Sequence, residues 1–215
     1  MIKAEVRRDK MVAEQIAARG VQDPRVLGAM RSVPRHRFLP PEARAVAYAD
    51  SPVRIGEGQT ISQPYIVALM VELLDVRPED KVLEVGTGSG YQAAILGQLA
   101  AKVHSIERFP SLAETARNTL AELGYENIQV HVGDGTLGYP PEAPYDRIVV
   151  AAAAPAVPPA LRTQLADGGR LVIPVGGRRS QHLEAWDREG DNYEKKDNIS
   201  VVFVPLVGEA GWGAD

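Results

Sequence analysis

The sequence predicts an α/β protein built on a doubly wound, mostly parallel sheet with helices on both faces. An N-terminal helical extension and an antiparallel edge strand complete the expected architecture. Three observations carry this reading. From residue 60 onward, short apolar strand-like runs alternate with helical stretches. One such run ends in a turn with glycine at every second position, Gly86, Gly88 and Gly90. The next two strand-like runs end in Glu107 and in Asp134-Gly135. Strands separated by helices imply right-handed crossovers and a sheet covered on both sides.

Each element follows from local chemistry. Over 3–18, Val6, Met11, Val12, Gln15 and Ile16 fall near helical spacing. Asp23-Pro24 reads as an N-cap followed by proline at the first helical position, opening a short helix with Val26, Leu27 and Met30. Pro34, Pro40 and Pro41 break the chain beyond that helix. Helices are predicted over 65–74, 91–101, 110–123 and 158–165, the last two stopped by Gly124 and by Gly168-Gly169. Strands are predicted over 81–85, 103–106, 128–132, 147–151, 171–175, 183–186 and 201–204. No helical pattern separates the final two, so an antiparallel hairpin is expected at the sheet edge. A length of 215 residues suits a single domain. It is read as a helical cap over 1–58 and a core over 59–215.

Composition narrows the function classes. Apolar residues at 45% and charged residues at 24% describe a soluble globular chain. There is no cysteine, which excludes disulfides and thiolate metal sites. His36, His104, His131 and His182 show no ligand spacing, so no metal is expected. The net charge of −4 is well mixed, with no Lys/Arg stripe to suggest nucleic acid. Arg31, Arg35 and Arg37 are taken as a solvated edge. No apolar run is long enough to span a membrane and the first ten residues lack an apolar signal core, so a cytoplasmic protein is expected. A monomer is expected.

The chemistry concentrates at strand ends. In open α/β sheets, ligands bind beyond the carboxyl ends of the strands at the topological switch point. Glycines there let a ligand approach the backbone. A tight turn needing glycine is the plain alternative, but three alternate glycines between a strand and a helix weaken it. The spacing Gly86-x-Gly88-x-Gly90 departs from the dinucleotide fingerprint G-x-G-x-x-G, and an acid, Glu84, precedes it. Glu107 follows Gly86 by 21 residues, the offset of an acid that hydrogen-bonds ribose hydroxyls. Asp134-Gly135 alone would be an ordinary turn. Ser62, ahead of Gln63-Pro64 and an apolar helix, reads by itself as a helix N-cap.

The run Glu84-Val85-Gly86-Thr87-Gly88-Ser89-Gly90 resembles the first motif of class I methyltransferases, whose Rossmann-like fold binds S-adenosylmethionine. The run Thr60-Ile61-Ser62-Gln63-Pro64 resembles the signature of the protein-L-isoaspartate methyltransferases. The likeness extends through Tyr48-Ala49-Asp50, Tyr91-Gln92-Ala93-Ala94, Gly133-Asp134-Gly135, Gln164-Leu165, Gly168-Gly169 and Phe203-Val204-Pro205-Leu206. It covers about Asp9 to Trp212. The resemblance implies transfer of a methyl group from S-adenosylmethionine to the α-carboxylate of L-isoaspartyl residues in damaged proteins and peptides. It implies Ser62 as the active-site serine, serving also as a cap. It implies Thr60, Ile61, Glu84, Gly86, Thr87, Gly88, Gly90, Glu107, Asp134 and Gly135 as the cofactor set. Ser62 and the C-terminal stretch Val202, Phe203, Val204 and Pro205 are the candidates to line a peptide cleft. Some family members carry a histidine where this chain has Val67.

The acceptor chemistry is consistent with this inventory. A carboxylic acid with a pKa of roughly 3–4 is already ionised at neutral pH and needs no general base. Positioning and electrostatics would then carry the rate. A small-molecule methyltransferase, a carboxyl methyltransferase with a dedicated peptide partner, a non-catalytic cofactor-binding module and a nicotinamide-dependent dehydrogenase are the competing readings. The first commonly needs a base or metal, and the glycine spacing disfavours the last.

Overall fold

The computed structural model describes residues 4–196 and 199–213. The chain opens with α1 (Ala4–Met11), which loosens through a π-turn at Val12–Ile16 and tightens through a 3-10 turn at Ala17–Arg19 before Gly20 ends it at φ +104°. The expected helix over 3–18 is therefore irregular after its second turn. Next comes α2 (Pro24–Ser32), opened as expected: the Asp23 carboxylate accepts from the Arg25 amide at 2.7 Å, and Pro24 occupies the first helical position. Short 3-10 turns at Arg35–Phe38 and Pro41–Val46 lead into β1 (Val53–Gly56) and β2 (Gln59–Ile61), an antiparallel hairpin. This hairpin has no counterpart in the sequence reading.

The α/β core comes next: α3 (Pro64–Leu74), β3 (Lys81–Val85), α4 (Tyr91–Gly97), β4 (Lys102–Glu107), α5 (Pro110–Glu122), β5 (Ile128–Val132), β6 (Tyr145–Val150) and α6 (Pro159–Gln164). It closes with β7 (Leu165–Gly177), β8 (Ser180–Glu189), β9 (Asn192–Lys195) and β10 (Ile199–Val201). The sheet order is β10-β8-β7-β6-β3-β4-β5, with β9 also on β8. β3 through β7 run parallel to one another, while β8 runs antiparallel to β7, β9 and β10. The antiparallel edge thus begins one strand earlier than the sequence suggested.

Alternation along the strands divides the core. Val82, Val103, Val149 and Val172 face one side, with α3, α4 and the N-terminal Met11, Ile16 and Met30. Leu83, Val85, Ile148, Val150, Leu171 and Ile173 face the other, with Leu161 and Leu206. Both faces are covered, as a parallel sheet requires.

Two boundaries move for physical reasons. The helix expected over 91–101 stops at Gly97, where a Cβ would lie 2.7 Å from Ile128 Cδ1. The Asn127 side-chain amide donates to the Gly97 and Ala100 carbonyls, satisfying the frayed end. The strand expected over 201–204 ends at Val201. Beyond it the Phe203 amide donates to Gln181 Oε1 and the Val204 carbonyl accepts from Ala153, which carries the chain across the carboxyl ends of the sheet. No helix among the described residues is long and apolar enough to cross a membrane.

Candidate active site

The chain reverses direction across the sheet at β3, between β4 on one side and β6 on the other. A cleft opens at the carboxyl ends of these strands. Its floor is the turn after β3. Gly86 (φ +94°) and Gly88 (φ +52°) take the left-handed backbone that L side chains rarely adopt. The Gly86 and Thr87 amides both donate to the Ile106 carbonyl at 2.8 and 3.2 Å, tying the turn to β4.

Glu107 ends β4 and is nearly buried at the cleft. Its two oxygens accept from the Gly88 amide at 2.8 Å and the Phe109 amide at 3.0 Å. A carboxylate has about four acceptor sites, so lone pairs remain for a ligand while the two amides fix its orientation. Gly135 lines the cleft too, and a Cβ there would stand 2.4 Å from Val85 Cγ1.

The opposite wall comes from β2 and the segment after it: Gln59, Thr60, Ile61 and Ser62 all line the cleft, with Val67 from the first turn of α3. Val67 offers only an apolar contact. Ser62 does not cap α3, in contrast to the sequence expectation. The N-cap position is Gln63, with no side-chain capping bond, because Pro64 at the first turn leaves fewer amides to satisfy. The Ser62 hydroxyl is half-buried and unclaimed by α3. Val204 and Pro205 supply a third wall.

Several expected residues lie elsewhere. Glu84 is fully buried beneath the turn and does not line the cleft; Ser105 Oγ donates to its Oε2 at 2.5 Å, and Ser105 shares a second bond with Thr87. Burial pushes its pKa up to about 8, the neighbouring Glu107 charge adding and the Ser105 bond opposing. Gly90 packs against Ala116 and Leu120 of α5, where a Cβ would meet Ala116 at 3.2 Å. The Asp134 carboxylate is committed to Thr136 N and Oγ1 and to the Glu209 amide, pinning the C-terminal segment beside β5. Burial raises its pKa, but these donors outweigh that and leave it lowered. Val202 is 78% exposed and Phe203 lies outside the lining, so only half of the expected C-terminal stretch faces the cleft.

Other residues were not singled out from the sequence. Gln92, Arg108, Phe109, Ala151 and Ala152 line the cleft. Gln92 carries a buried side-chain amide nitrogen without a hydrogen-bond partner. Arg35 is not at a solvated edge: it is wholly buried, and donates from Nε to the Ala47 carbonyl and from Nη2 to the Ser62 carbonyl, each at 2.8 Å. Its sequence signal, a cation among prolines, is shared with exposed loops. His104 and His131 meet at 3.1 Å on neighbouring strands, away from the cleft, and no cluster among the described residues could hold a metal ion.

A glycine floor at a switch point, an oriented acid at the next strand end and a small-residue gap at the third together define the fold and site of a class I S-adenosylmethionine-dependent methyltransferase. Similarity to known proteins sharpens this. The family model for protein-L-isoaspartate(D-aspartate) O-methyltransferase matches residues 6–211. The chain is 58% identical over 205 residues to protein-L-isoaspartate O-methyltransferase of Methanoregula boonei, covering 95% of this chain and 94% of that protein. Its counterpart from Methanoculleus marisnigri is 58% identical over 205 residues, covering 95% and 93%. A solved protein-L-isoaspartate O-methyltransferase superposes with a TM-score of 0.84 at 30% identity, over 95% of this chain and 67% of that one. A structure from Plasmodium falciparum, described as a putative enzyme of the same kind in complex with S-adenosyl-L-homocysteine, superposes with a TM-score of 0.81 at 25% identity, over 93% and 98%. The chain belongs to the protein-L-isoaspartate(D-aspartate) O-methyltransferase family.

Proposed function

We infer that this protein methylates the α-carboxylate of L-isoaspartyl residues in damaged proteins and peptides, using S-adenosylmethionine and beginning their repair. The observation that carries the reading is that Thr60, Ile61 and Ser62 open onto the same cleft as the glycine turn and Glu107. Methyl donor and acceptor must share one space for in-line transfer.

The cleft suits the donor. Glu107 would hold the ribose hydroxyls, Gly86, Thr87 and Gly88 the methionine part, and the Gln92 amide a further acceptor. Gly135 would leave room for the adenine. Glu84 and Gly90 support this set from beneath, and Asp134 from beside it. When bound, S-adenosylmethionine supplies an electrophilic methyl on a sulfonium. Ser62 would hold one acceptor oxygen, leaving the other to attack in line with the sulfur–methyl bond. A neutral hydroxyl suits that task. A cation in direct contact would favour the charged ground state, which transfer then neutralises. No histidine among the described residues lines the cleft, and an ionised acceptor needs no base. Val204 and Pro205, which line the same cleft as Ser62, would offer the peptide an apolar surface.

The test combines labelled cofactor with a synthetic isoaspartyl peptide. Base-labile methyl ester should form with wild type, and Ser62→Ala should lower kcat while S-adenosylhomocysteine binds as before. A Ser62→Ala variant with normal turnover would remove the serine from the mechanism. We further take the protein as a single-domain cytoplasmic monomer that engages neither nucleic acid nor membrane. The mixed charge of net −4 supports this, and gel filtration and cell fractionation test it.

A further inference from the structure

Among the described residues, Arg35 is a fully buried guanidinium next to the reactive segment, and the methyl-transfer chemistry does not use it. Arg35 sits in the 3-10 turn Arg35–Phe38 and has no solvent exposure. Nε donates to the Ala47 carbonyl and Nη2 to the Ser62 carbonyl, both at 2.8 Å. Its plane lies over the Tyr91 ring, 4.9 Å from the centroid, and Tyr91 is the first residue of α4 after the glycine turn. Tyr91 is packed edge-on by Phe38 from the same 3-10 turn. Among the described residues no acid offsets the charge: the groups that act on Arg35 are Tyr91, which also hydrogen-bonds it through its side chain, and Tyr48.

Burying a cation with no acid beside it is costly, and burial draws this one down to about 10 although Tyr91 and Tyr48 oppose the shift. A structural post between two carbonyls would not need a charge. A rigid fork is different: its donors are fixed in one plane, so it sets the distance and orientation between the two carbonyls it bridges. One belongs to the N-terminal cap and the other to Ser62. The cap turn, the segment carrying the serine and the helix after the glycine turn therefore share a single planar group.

We propose that Arg35 is a positioning residue for methyl transfer, its buried fork holding the Ser62 main chain so that the hydroxyl stays on the transfer line. This rests on the reading of Ser62 as the acceptor-holding group. A misplacement of about 1 Å costs on the order of a hundredfold in rate. Arg35 hydrogen-bonds Ala47 and Ser62 rather than the glycine turn or Glu107, so its loss should leave the cofactor's contacts with that turn and acid in place.

The test is a double-mutant cycle on kcat with an isoaspartyl peptide, with S-adenosylhomocysteine affinity as the measure of an intact fold. Arg35→Met should lower kcat about ten- to a hundredfold, with cofactor affinity within about threefold of wild type. The double variant Arg35→Met/Ser62→Ala should turn over within about threefold of Ser62→Ala alone, because the serine's contribution can be lost only once. If Arg35→Met no longer binds S-adenosylhomocysteine, Arg35→Lys carries the same cycle: it keeps a buried cation but places its donors on a single nitrogen. Losses that multiply in the double variant, or a normal kcat at position 35 beside a deficient Ser62→Ala, overturn the proposal alone. A Ser62→Ala enzyme with wild-type turnover overturns the serine reading and the proposal together.

Discussion

Two acids one strand apart have opposite fates. Glu107 faces the cleft with its oxygens steered by two backbone amides, while Glu84 is sealed beneath the turn. Glu107→Ala should therefore remove more than a ligand contact, since it also frees the Gly88 and Phe109 amides. Charge-assisted bonds contribute about 1.5–3 kcal/mol, so S-adenosylhomocysteine affinity should fall at least about tenfold by calorimetry. Equal affinities would remove Glu107 from the site. Glu84 makes a prediction about pH. Its folded pKa of about 8 lies above the ordinary 4.5, so the folded state keeps a proton that the unfolded chain releases. The stability this proton confers is complete below about pH 4.5 and is lost as pH rises toward 8. A tenfold difference in proton affinity corresponds to about 1.4 kcal/mol, so the loss amounts to a few kcal/mol. Glu84→Gln keeps an acceptor for Ser105 and carries no titrating proton. Its Tm should fall less than that of wild type between pH 5 and about 9. Parallel Tm curves would show that Glu84 does not titrate in this window.

At the scale of elements, the site is made by three strand ends and one hairpin. The strand ends were legible because each carries its own local signal: alternate glycines, an acid at the ribose offset and Asp-Gly. The hairpin β1–β2 was not, since strands of four and three residues are too short to show alternation. Yet it brings Ile55 within 3.3 Å of where a Cβ on Gly88 would stand and delivers Thr60 and Ile61 to the cleft. The turn after β5 allows a controlled test. Gly135→Ala places a methyl 2.4 Å from Val85 Cγ1, whereas Gly133→Ala meets nothing within 4 Å. Overpacking of this kind costs about 1–3 kcal/mol. The Gly135 variant should melt lower and bind S-adenosylhomocysteine more weakly, and the Gly133 variant should match wild type in Tm. Similar behaviour of the two would mean that the packing against Val85 relaxes without cost.

The molecule as a whole sets substrate choice. An isoaspartyl linkage routes the main chain through the side-chain carboxyl and leaves the α-carboxylate one carbon closer to the backbone than a normal aspartyl side chain reaches. Ser62, Val204 and Pro205 all line the cleft, and a site that fixes the acceptor oxygen for in-line transfer would meet this difference as a misplacement of the attacking atom. Isoaspartyl peptides of varied sequence should be methylated, and their aspartyl twins about a hundredfold more slowly or not at all. Comparable rates for both isomers would point to another carboxylate acceptor. With no histidine in the lining and an acceptor that is already ionised, kcat should be nearly flat between about pH 6 and 7.5 once ester hydrolysis is corrected for. A steep rise there would reveal a titrating base.

From sequence alone came the order of strands and helices, the position of the glycine turn and the acid at Glu107, because these rest on short-range periodicity and spacing. The run Thr60-Ile61-Ser62-Gln63-Pro64 pointed to the acceptor only through its resemblance to a family signature, since by itself it reads as a helix start. What tertiary structure decided was which side chains face the cleft. Glu84 and Gly90 belong to the same motif as Gly86 and Gly88, yet strand alternation turns Glu84 inward and helix packing claims Gly90. Asp134 is drawn off by Thr136 and Glu209, a partner 75 residues away, which no local pattern encodes. Arg35 is the clearest case. Read along the chain it is one cation among several in a proline-rich loop. Folding brings it beneath Ser62, 27 residues on, because only the packed cap turns that loop inward.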